Sequence, residues 1–281
     1  MTEVSTVGRS ATAAAPIRVG LAGFGAIGRT IASALDAGID GVELAAVAVR
    51  DPATAGERVA HLSRTPELTT VGDLARHCDL VVECAPAALL PAIAEPALSA
   101  GKTLVVLSCG ALLTNMHLVD LARAHGGRIV VPSGALLGLD AVVAAAEGTI
   151  HSVTMVTRKP PLGLAGAPYL EEHGIDMGAV TEPTRVFAGT AREAAAGFPA
   201  NLNVAVALSL AGVGPDATRL EIWADPTVTR NTHQVIVDAD AARLSVTIEN
   251  VPSENPKTGR ITALSVIAAL RKLRAPLAVG T

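Results

Sequence analysis

A glycine-rich turn near the N-terminus constrains the fold of this chain more than any other segment. It reads Gly23-Phe-Gly-Ala-Ile-Gly28, follows an apolar run over residues 19–22, and precedes alanine, isoleucine and leucine at helical spacing. In such a strand, turn and helix, the first glycine permits the turn, the second admits a pyrophosphate close to the backbone, and the third lets the helix pack on the strand. The helix N-terminus adds unpaired N–H groups and a partial positive charge. We therefore predict dinucleotide contacts from Gly23, Phe24, Gly25, Ala26, Ile27 and Gly28.

The first half of the chain alternates short apolar runs with segments of helical periodicity. The runs predict strands over residues 19–22, 42–49, 80–84, 102–107 and 128–131, and the periodic segments predict helices up to residue 37 and over residues 87–100 and 112–125. This alternation is typical of βαβ units, so we expect an α/β fold with a doubly wound (Rossmann) parallel sheet. A chain that is 50% hydrophobic and 17% charged suits strands buried on both faces.

Ligands of such sheets bind outside the carboxyl ends of the strands. The residues that follow the predicted strands are therefore expected to gather at one edge around the cofactor. They are Arg50, Asp51, Cys84, Ala85, Pro86 and Ser108, with residues 133–135 beside them. A nucleophilic cysteine at this edge would need a basic partner to lower its pKa. No histidine is committed to Cys84 or Cys109, so both are interpreted as small residues that line the groove.

Beyond residue 135 the pattern changes to successive strands. Alternating β-branched residues predict strands over 149–158, 182–188, 218–224, 233–238 and 242–251, with a helix over 202–210. We expect a second, α+β domain with a largely antiparallel sheet. The predicted division is a disordered tail (1–16), a dinucleotide-binding domain (17–134) and a substrate, catalytic and dimerisation domain (135–257). An amphipathic helix over 258–273 is expected to pack back on the first domain, and an exposed sheet edge favours a homodimer.

Charge and composition limit the classes of partner that the chain is expected to bind. A net charge of −4 gives no reason to expect nucleic acid or an anionic membrane surface, and no apolar run reaches the roughly 18 residues of a spanning helix. Three cysteines are an odd number without metal-site spacing, which favours reduced thiols in the cytoplasm and no metal. We expect an intracellular protein that acts on a small molecule.

Several strings in the second half are more specific. They are TRKPP (157–161), FPANLNV (198–204), NTHQ (231–234) and NVPSENPKTGR (250–260), preceded by PSGAL (132–136). With these strings in this order, the chain resembles the L-aspartate dehydrogenase family from residue 17 to about residue 273. The resemblance implies oxidation of L-aspartate by NAD(P)+ to iminoaspartate, which hydrolyses to oxaloacetate and ammonia or feeds NAD synthesis.

The resemblance also implies residue roles. The catalytic histidine of the family lies in its Asn-Thr-His string, which corresponds to His233 here. Cofactor contacts from the second half fall on Ala135 and on an asparagine of the Pro-Ala-Asn-x-Asn string, where Asn201 and Asn203 both fit.

The chemistry of the residues, considered without the resemblance, points to the same roles. Hydride transfer from an amine carbon requires a base for the ammonium proton and cations for two carboxylates. Histidine suits the base because its unperturbed pKa is about 6.5. The rate is expected to rise with pH through the pKa of the catalytic histidine and to level off above it. Four cations are candidate partners of substrate carboxylates. Lys159 and Lys257 are the preferred pair, also as alternative bases, and Arg158 and Arg260 are further substrate contacts.

The ribose position departs from the usual NAD pattern. An Asp or Glu often stands there, about 20 residues past the glycines, and binds the 2′-hydroxyl. This chain has Arg50, which can pair with a 2′-phosphate, followed by Asp51. Either NAD or NADP is therefore expected as cofactor.

Two other functions keep the same nucleotide-binding half. One is an NAD(P)-dependent dehydrogenase or reductase of another small imino or dicarboxylic acid. The other is a non-enzymatic NAD(H)-sensing module, although the sequence contains no helix-turn-helix and no basic stretch that such a sensor would use.

Overall fold

Six parallel strands and the helices on their two faces form the first half of the protein. The computed structural model describes residues 14–136, 138–199, 202–251 and 259–280, so Asn201 and Lys257 lie outside the described residues. In chain order the elements of this half are β1 (Ile17–Ala22), α1 (Ala26–Asp36), β2 (Val42–Ala48), α2 (Gly56–Val59), β3 (Glu67–Thr69), β4 (Leu80–Glu83), α3 (Leu90–Ser99), β5 (Thr103–Val106), α4 (Cys109–Leu113), α5 (His117–His125) and β6 (Arg128–Val130).

The first sheet has the strand order β3-β2-β1-β4-β5-β6, and all its pairs are parallel. The order reverses between β1 and β4, which is the switch point at which such sheets bind ligands. One face of the sheet packs against α1, and the other packs against α3 and α5. The prediction of a doubly wound parallel sheet is confirmed.

One predicted helix is interrupted. Residues 112–125 were expected to form a single helix, whereas the structure has α4 and α5 separated at Asn115. The Asn115 side chain donates from Nδ2 to the carbonyl of Ala111 at 2.8 Å, so a polar side chain satisfies a backbone acceptor near the end of α4. Asparagine favours such local bonds over continued helix.

The second half is built on a five-stranded sheet. Its elements are α6 (Leu139–Ala145), β7 (Ile150–Lys159), α7 (Pro168–Glu172), β8 (Thr184–Thr190), α8 (Ala191–Gly197), α9 (Asn203–Ala211), β9 (Thr218–Ala224), β10 (Asn231–Ala239), β11 (Arg243–Asn250) and α10 (Ile261–Lys272).

This second sheet has the order β11-β10-β7-β9-β8. The prediction of a largely antiparallel sheet is confirmed, because only the β7–β9 pair is parallel. Helices α6, α7 and α8 were not predicted, since five to seven residues are too few for a clear helical period.

One face of the second sheet is covered by α9 and neighbouring segments. Val153, Met155, Leu220 and Val235 on the strands pack with Leu208 of α9 in one apolar core. The C-terminal helix α10 returns to the first sheet and lies against α1, where Val266 and Leu270 join the core of that half. Among the helices of the described ranges, none is long and apolar enough to cross a membrane.

Candidate active site

The glycine turn has the geometry that a dinucleotide site requires. Gly23 has φ +107°, in the region that favours glycine, and joins β1 to α1. A Cβ on Gly28 would lie 2.4 Å from the carbonyl oxygen of Gly23, so only glycine lets α1 approach the turn this closely. A Cβ on Gly25 would meet nothing within 4 Å, which leaves open space beside the helix N-terminus. The turn thus offers N–H groups and room for phosphates.

A groove of about 530 Å³ opens at this turn, between the carboxyl edge of the first sheet and α9. It brings together most of the residues predicted to contact the cofactor. These are Gly23, Phe24, Gly25, Ala26, Ile27, Cys84, Ala85, Pro86, Ser108, Ala135 and Asn203. Gly28 lies buried beneath the turn and supports it by close packing. The residues present therefore fit an extended dinucleotide that crosses from the first half to the second.

Glu83 is a lining residue that the sequence prediction missed. It ends β4, is 0% exposed, and accepts four hydrogen bonds. The donors are the backbone N–H groups of Ala85, Leu107 and Ser108 and the hydroxyl of Ser108, at 2.8–3.2 Å. Burial raises the pKa of Glu83, whereas the four donors act in the opposite direction. The carboxyl group ties the ends of β4 and β5 together under the groove. In the sequence, its position as a charged residue inside an otherwise apolar strand could have indicated this role.

The two ribose candidates lie outside the described groove lining. Arg50 and Asp51 follow β2 and are exposed. Asp51 accepts a hydrogen bond from the N–H of Ala53 at 3.1 Å, which caps a single helical turn over Pro52–Thr54. A second arginine, which the sequence prediction missed, lies closer to the turn, since Arg58 donates to the carbonyl of Phe24 at 3.0 Å.

The connection between the two halves is held from both sides. Gly134 N–H donates to the hydroxyl of Ser265 on α10 at 3.1 Å. The carbonyl of Ala135 accepts from Asn250 Nδ2 at the end of β11, also at 3.1 Å. Asn203, at the start of α9, accepts from the N–H of Gly110 on α4 at 3.0 Å. These three bonds fix the groove wall that the second half contributes.

A buried polar group occupies the covered face of the second sheet. Thr157 on β7 and His233 on β10 are paired in register, and Thr157 Oγ1 lies 3.1 Å from His233 Nδ1. Lys159, two residues further along β7, shares their face and is 3% exposed, while His233 is 4% exposed. Asn250 lies at the end of the strand next to β10 and is also buried. The bond from Asn250 to Ala135 connects the end of β11 to the groove wall.

Burial changes the titration of this group. It lowers the pKa of Lys159 to about 8. Burial, assisted by the charge of Lys159, lowers the pKa of His233 to about 3. The pKa of His233 thus lies well below the ordinary histidine value near 6.5, and a rate that follows this residue would not change with pH near 6.5. A fully desolvated imidazole beside a lysine stays neutral over the working pH range.

The other two predicted carboxylate partners in the described residues lie elsewhere. Arg158 lies on the opposite face of β7 from Lys159. There its guanidinium forms an ion pair with Asp225 at 3.3 Å and lies over the ring of Trp223, 4.6 Å from the ring centroid. Its guanidinium is thus directed away from His233. Arg260 is exposed and lines a second groove, of about 620 Å³, between α1 and the start of α10.

The cysteines behave as small apolar groups. Cys84 contacts the carbonyl of Gly23 through its Sγ at 3.3 Å. Burial raises the pKa of Cys84, and it raises the pKa of Cys109 to about 12. Neither thiol is poised to ionise, as a nucleophile requires.

Known proteins resemble the chain along nearly its whole length. Residues 140–273 match the family described as "Aspartate dehydrogenase, C-terminal", and residues 23–132 match the one described as "Homoserine dehydrogenase, NAD binding domain". The chain is 63% identical to an L-aspartate dehydrogenase of Bradyrhizobium diazoefficiens over 96% of each chain. It is 58% identical to L-aspartate dehydrogenase 3 of Bordetella bronchiseptica over 94% of this chain and 97% of that one. The crystal structure of aspartate dehydrogenase from Thermotoga maritima shares the fold, with a TM-score of 0.71 at 23% identity over 94% of this chain and 99% of that chain.

Proposed function

The chain belongs to the L-aspartate dehydrogenase family, and we propose that its reaction takes place where the cofactor groove meets the buried polar group of β7 and β10. The enzyme oxidises L-aspartate with NAD(P)+ to iminoaspartate, or runs the reverse reductive amination. Bound in the groove, NAD(P)+ supplies the hydride acceptor. The observation that carries the proposal is the buried set of Lys159, Thr157 and His233 on one face of the second sheet, whose last strand is bonded to the groove wall through Asn250.

The reaction has a defined proton requirement. Aspartate enters with an ammonium group, and it leaves as an iminium after losing a hydride from Cα and one proton from nitrogen. His233 and Lys159 are the described groups that can receive or direct that proton, and Lys257 is proposed beside them from the sequence. Substrate carboxylates require cationic or N–H partners, because an unpaired carboxylate is costly to desolvate. Lys159 can be such a cation when it is protonated, below its pKa of about 8. Arg260 is the exposed candidate, at the groove beside α1.

The cofactor assignments extend the same proposal. The glycine turn and the lining residues from Cys84 to Ser108 hold the dinucleotide, and Ala135 and Asn203 contact its nicotinamide end, with Asn201 as the alternative from the sequence. Since the Asn203 carboxamide oxygen is engaged by Gly110, its Nδ2 is the group that can face the cofactor. Arg50 and Asp51 are proposed to receive NADP and NAD respectively at the ribose.

We also propose a cytoplasmic homodimer. The three cysteines are unpaired thiols, as is typical of a reducing compartment. Strand β11 is an edge strand of the second sheet, a position at which a second copy can add. Light scattering on the purified protein tests the dimer, and a monomeric mass at micromolar concentration would contradict it.

The test of the activity mixes purified protein with NAD+ or NADP+ and a panel of small amino and hydroxy acids. We expect reduced-nicotinamide absorbance to rise with L-aspartate and not with D-aspartate, L-glutamate or L-malate. His233→Ala is expected to remove most of the turnover, while His151→Ala, an exposed histidine on the same pair of strands, serves as its matched control. A stronger signal with another imino or dicarboxylic acid would replace aspartate as the substrate, and no signal with any acid would favour a sensing module.

A further inference from the structure

The contact between Thr157 and His233 contains information about which ring nitrogen carries a proton. The two residues face each other across β7 and β10, Thr157 is 0% exposed, and Oγ1 lies 3.1 Å from Nδ1. Only one proton can occupy that contact. Either the hydroxyl donates to a bare Nδ1, or an Nδ1–H donates to the hydroxyl oxygen.

The two arrangements differ in how the hydroxyl proton of Thr157 is satisfied. Within the described ranges, the contact with His233 is the single hydrogen bond of Thr157 Oγ1. If Nδ1–H donates, the hydroxyl proton is buried without an acceptor. If the hydroxyl donates, the proton is satisfied and only the two lone pairs of the oxygen lack a donor. The usual cost of an unpaired buried donor corresponds to a preference of about fivefold to 150-fold for the second arrangement.

We propose that the Thr157 hydroxyl donates to Nδ1 and holds His233 in the Nε2–H tautomer, so that His233 serves as a hydrogen-bond donor and Lys159 as the proton acceptor. This inference rests on the proposed function for its catalytic part and on geometry alone for the tautomer. Thr157 is then a positioning residue, because it acts through the ring of His233. The Nε2–H group donates to a carboxylate oxygen of the substrate, which can accept a hydrogen bond but cannot supply one.

The step balances with Lys159 as the base. Neutral Lys159 takes one proton from the substrate ammonium and becomes an ammonium itself. The nitrogen lone pair then forms the C=N bond as hydride leaves Cα for the oxidised nicotinamide. The products are an iminium, the reduced cofactor and protonated Lys159.

Burial of Lys159 favours its neutral form at moderately alkaline pH. Among the described residues, His233 is the titratable group that shares its face of the sheet, and α9, which packs there, has no charged side chain. Arg158 and Asp225 pair with each other on the opposite face, and the charged residues of α7 and α8 are exposed. Burial brings the pKa of Lys159 to about 8, which is close to the operating pH that suits a general base.

The tautomer can be measured without catalysis. Long-range proton–nitrogen NMR spectra of enzyme with 15N-labelled histidine distinguish a protonated from a bare ring nitrogen, and His233→Gln assigns the signal. We expect a bare Nδ1 and a protonated Nε2 in the wild type and in Thr157→Ser. Thr157→Val should shift the population toward Nδ1–H or a mixture. Thr154→Val, the same change on the opposite face of β7, is the matched control and should leave the signal unchanged. A protonated Nδ1 in the wild type would overturn the proposal, whether or not aspartate is the substrate.

The division of roles is tested by kinetics. The side-chain amide of His233→Gln keeps an N–H donor at the place of Nε2 but offers no imidazole base. We expect its turnover number within about tenfold of the wild type, against a loss of about a hundredfold or more in His233→Ala. If Gln and Ala are equally impaired, the donor role is wrong.

The same experiment assigns the pH dependence. Wild-type kcat/KM should rise with pH and level off above about 8, the pKa of Lys159. Lys159→Ala should lose about a hundred- to ten-thousandfold in turnover, the usual contribution of general-base catalysis, and added ethylamine should restore part of it. If the pH dependence persists in Lys159→Ala, Lys159 is not the base.

Discussion

Two neighbouring glycines of the dinucleotide turn should respond differently to the same substitution. A Cβ on Gly28 would lie 2.4 Å from the carbonyl oxygen of Gly23, about 1 Å inside ordinary contact distance. Helix α1 must therefore move away from the turn in Gly28→Ala. Overpacking of this kind costs about 1–3 kcal/mol, which corresponds to roughly 2–4 °C in Tm per kcal/mol for a chain of this size. We expect both stability and cofactor affinity to fall.

Gly25→Ala isolates the binding effect. Gly25 has φ −81°, which alanine tolerates, and its Cβ meets nothing within 4 Å. The Tm should thus be unchanged or slightly raised. The methyl group occupies the space through which phosphates approach the backbone N–H groups. Loss of one such charge-assisted bond, at about 1.5–3 kcal/mol, weakens cofactor binding by about tenfold to 150-fold.

The assay pairs thermal unfolding with fluorescence titration of the reduced cofactor. Gly56→Ala is the control, since its Cβ also meets nothing within 4 Å and it lies at the start of α2, outside the groove. A Gly25→Ala enzyme that binds the cofactor as tightly as the wild type would refute the placement of the pyrophosphate at this turn. A Gly28→Ala enzyme with unchanged Tm would refute the packing argument.

Three further predictions concern other parts of the molecule. Arg50→Ala should weaken the binding of NADP+ by about tenfold, the value of one charge-assisted contact, and the binding of NAD+ much less. Steady-state kinetics with both cofactors measure this difference, and a wild-type preference for NAD+ beyond about a thousandfold would contradict the use of both cofactors. Arg158→Ala should lower the Tm and leave the KM for aspartate within about twofold, because its guanidinium pairs with Asp225; a large rise in KM would place it in the substrate site. Leu270→Ala should cost about 2–5 kcal/mol in urea unfolding, since Leu270 is 1% exposed, and a loss below 1 kcal/mol would show that α10 does not complete the core.

The sequence predicted the fold well where one physical rule dominated. The glycine turn and the alternation of apolar runs led to the parallel sheet, because buried strands and close helix packing allow few alternatives. The interruption at Asn115 and the short helices α6 to α8 depend on local side-chain bonds and packing that periodicity does not capture.

The site was less predictable because it depends on strand register. Arg158 and Lys159 are neighbours in sequence, so they must point to opposite faces of a strand, but only the pairing of β7 with β10 shows that Lys159 joins the face of His233. The same pairing buries the imidazole and displaces its pKa, which a residue type alone does not reveal. Glu83 was missed for a related reason, since its role requires the chain beyond β5 to bring Leu107 and Ser108 to it.

Because α10 is synthesised last but packs on the first sheet, the core of the first half is completed only near the end of protein synthesis. Its Val266 and Leu270 belong to the same core as Ile31 of α1, so the two parts of that core are separated by about 230 residues of synthesis, or roughly 10–50 s of translation. Until α10 is synthesised, the part of the α1 surface that it covers stays exposed to solvent. Because Ser265 on the same helix receives the N–H of Gly134, the arrival of α10 also settles the segment between the two halves. The contacts that complete the core of the nucleotide-binding half, and the bond from Gly134 to Ser265, therefore come last in the order of synthesis.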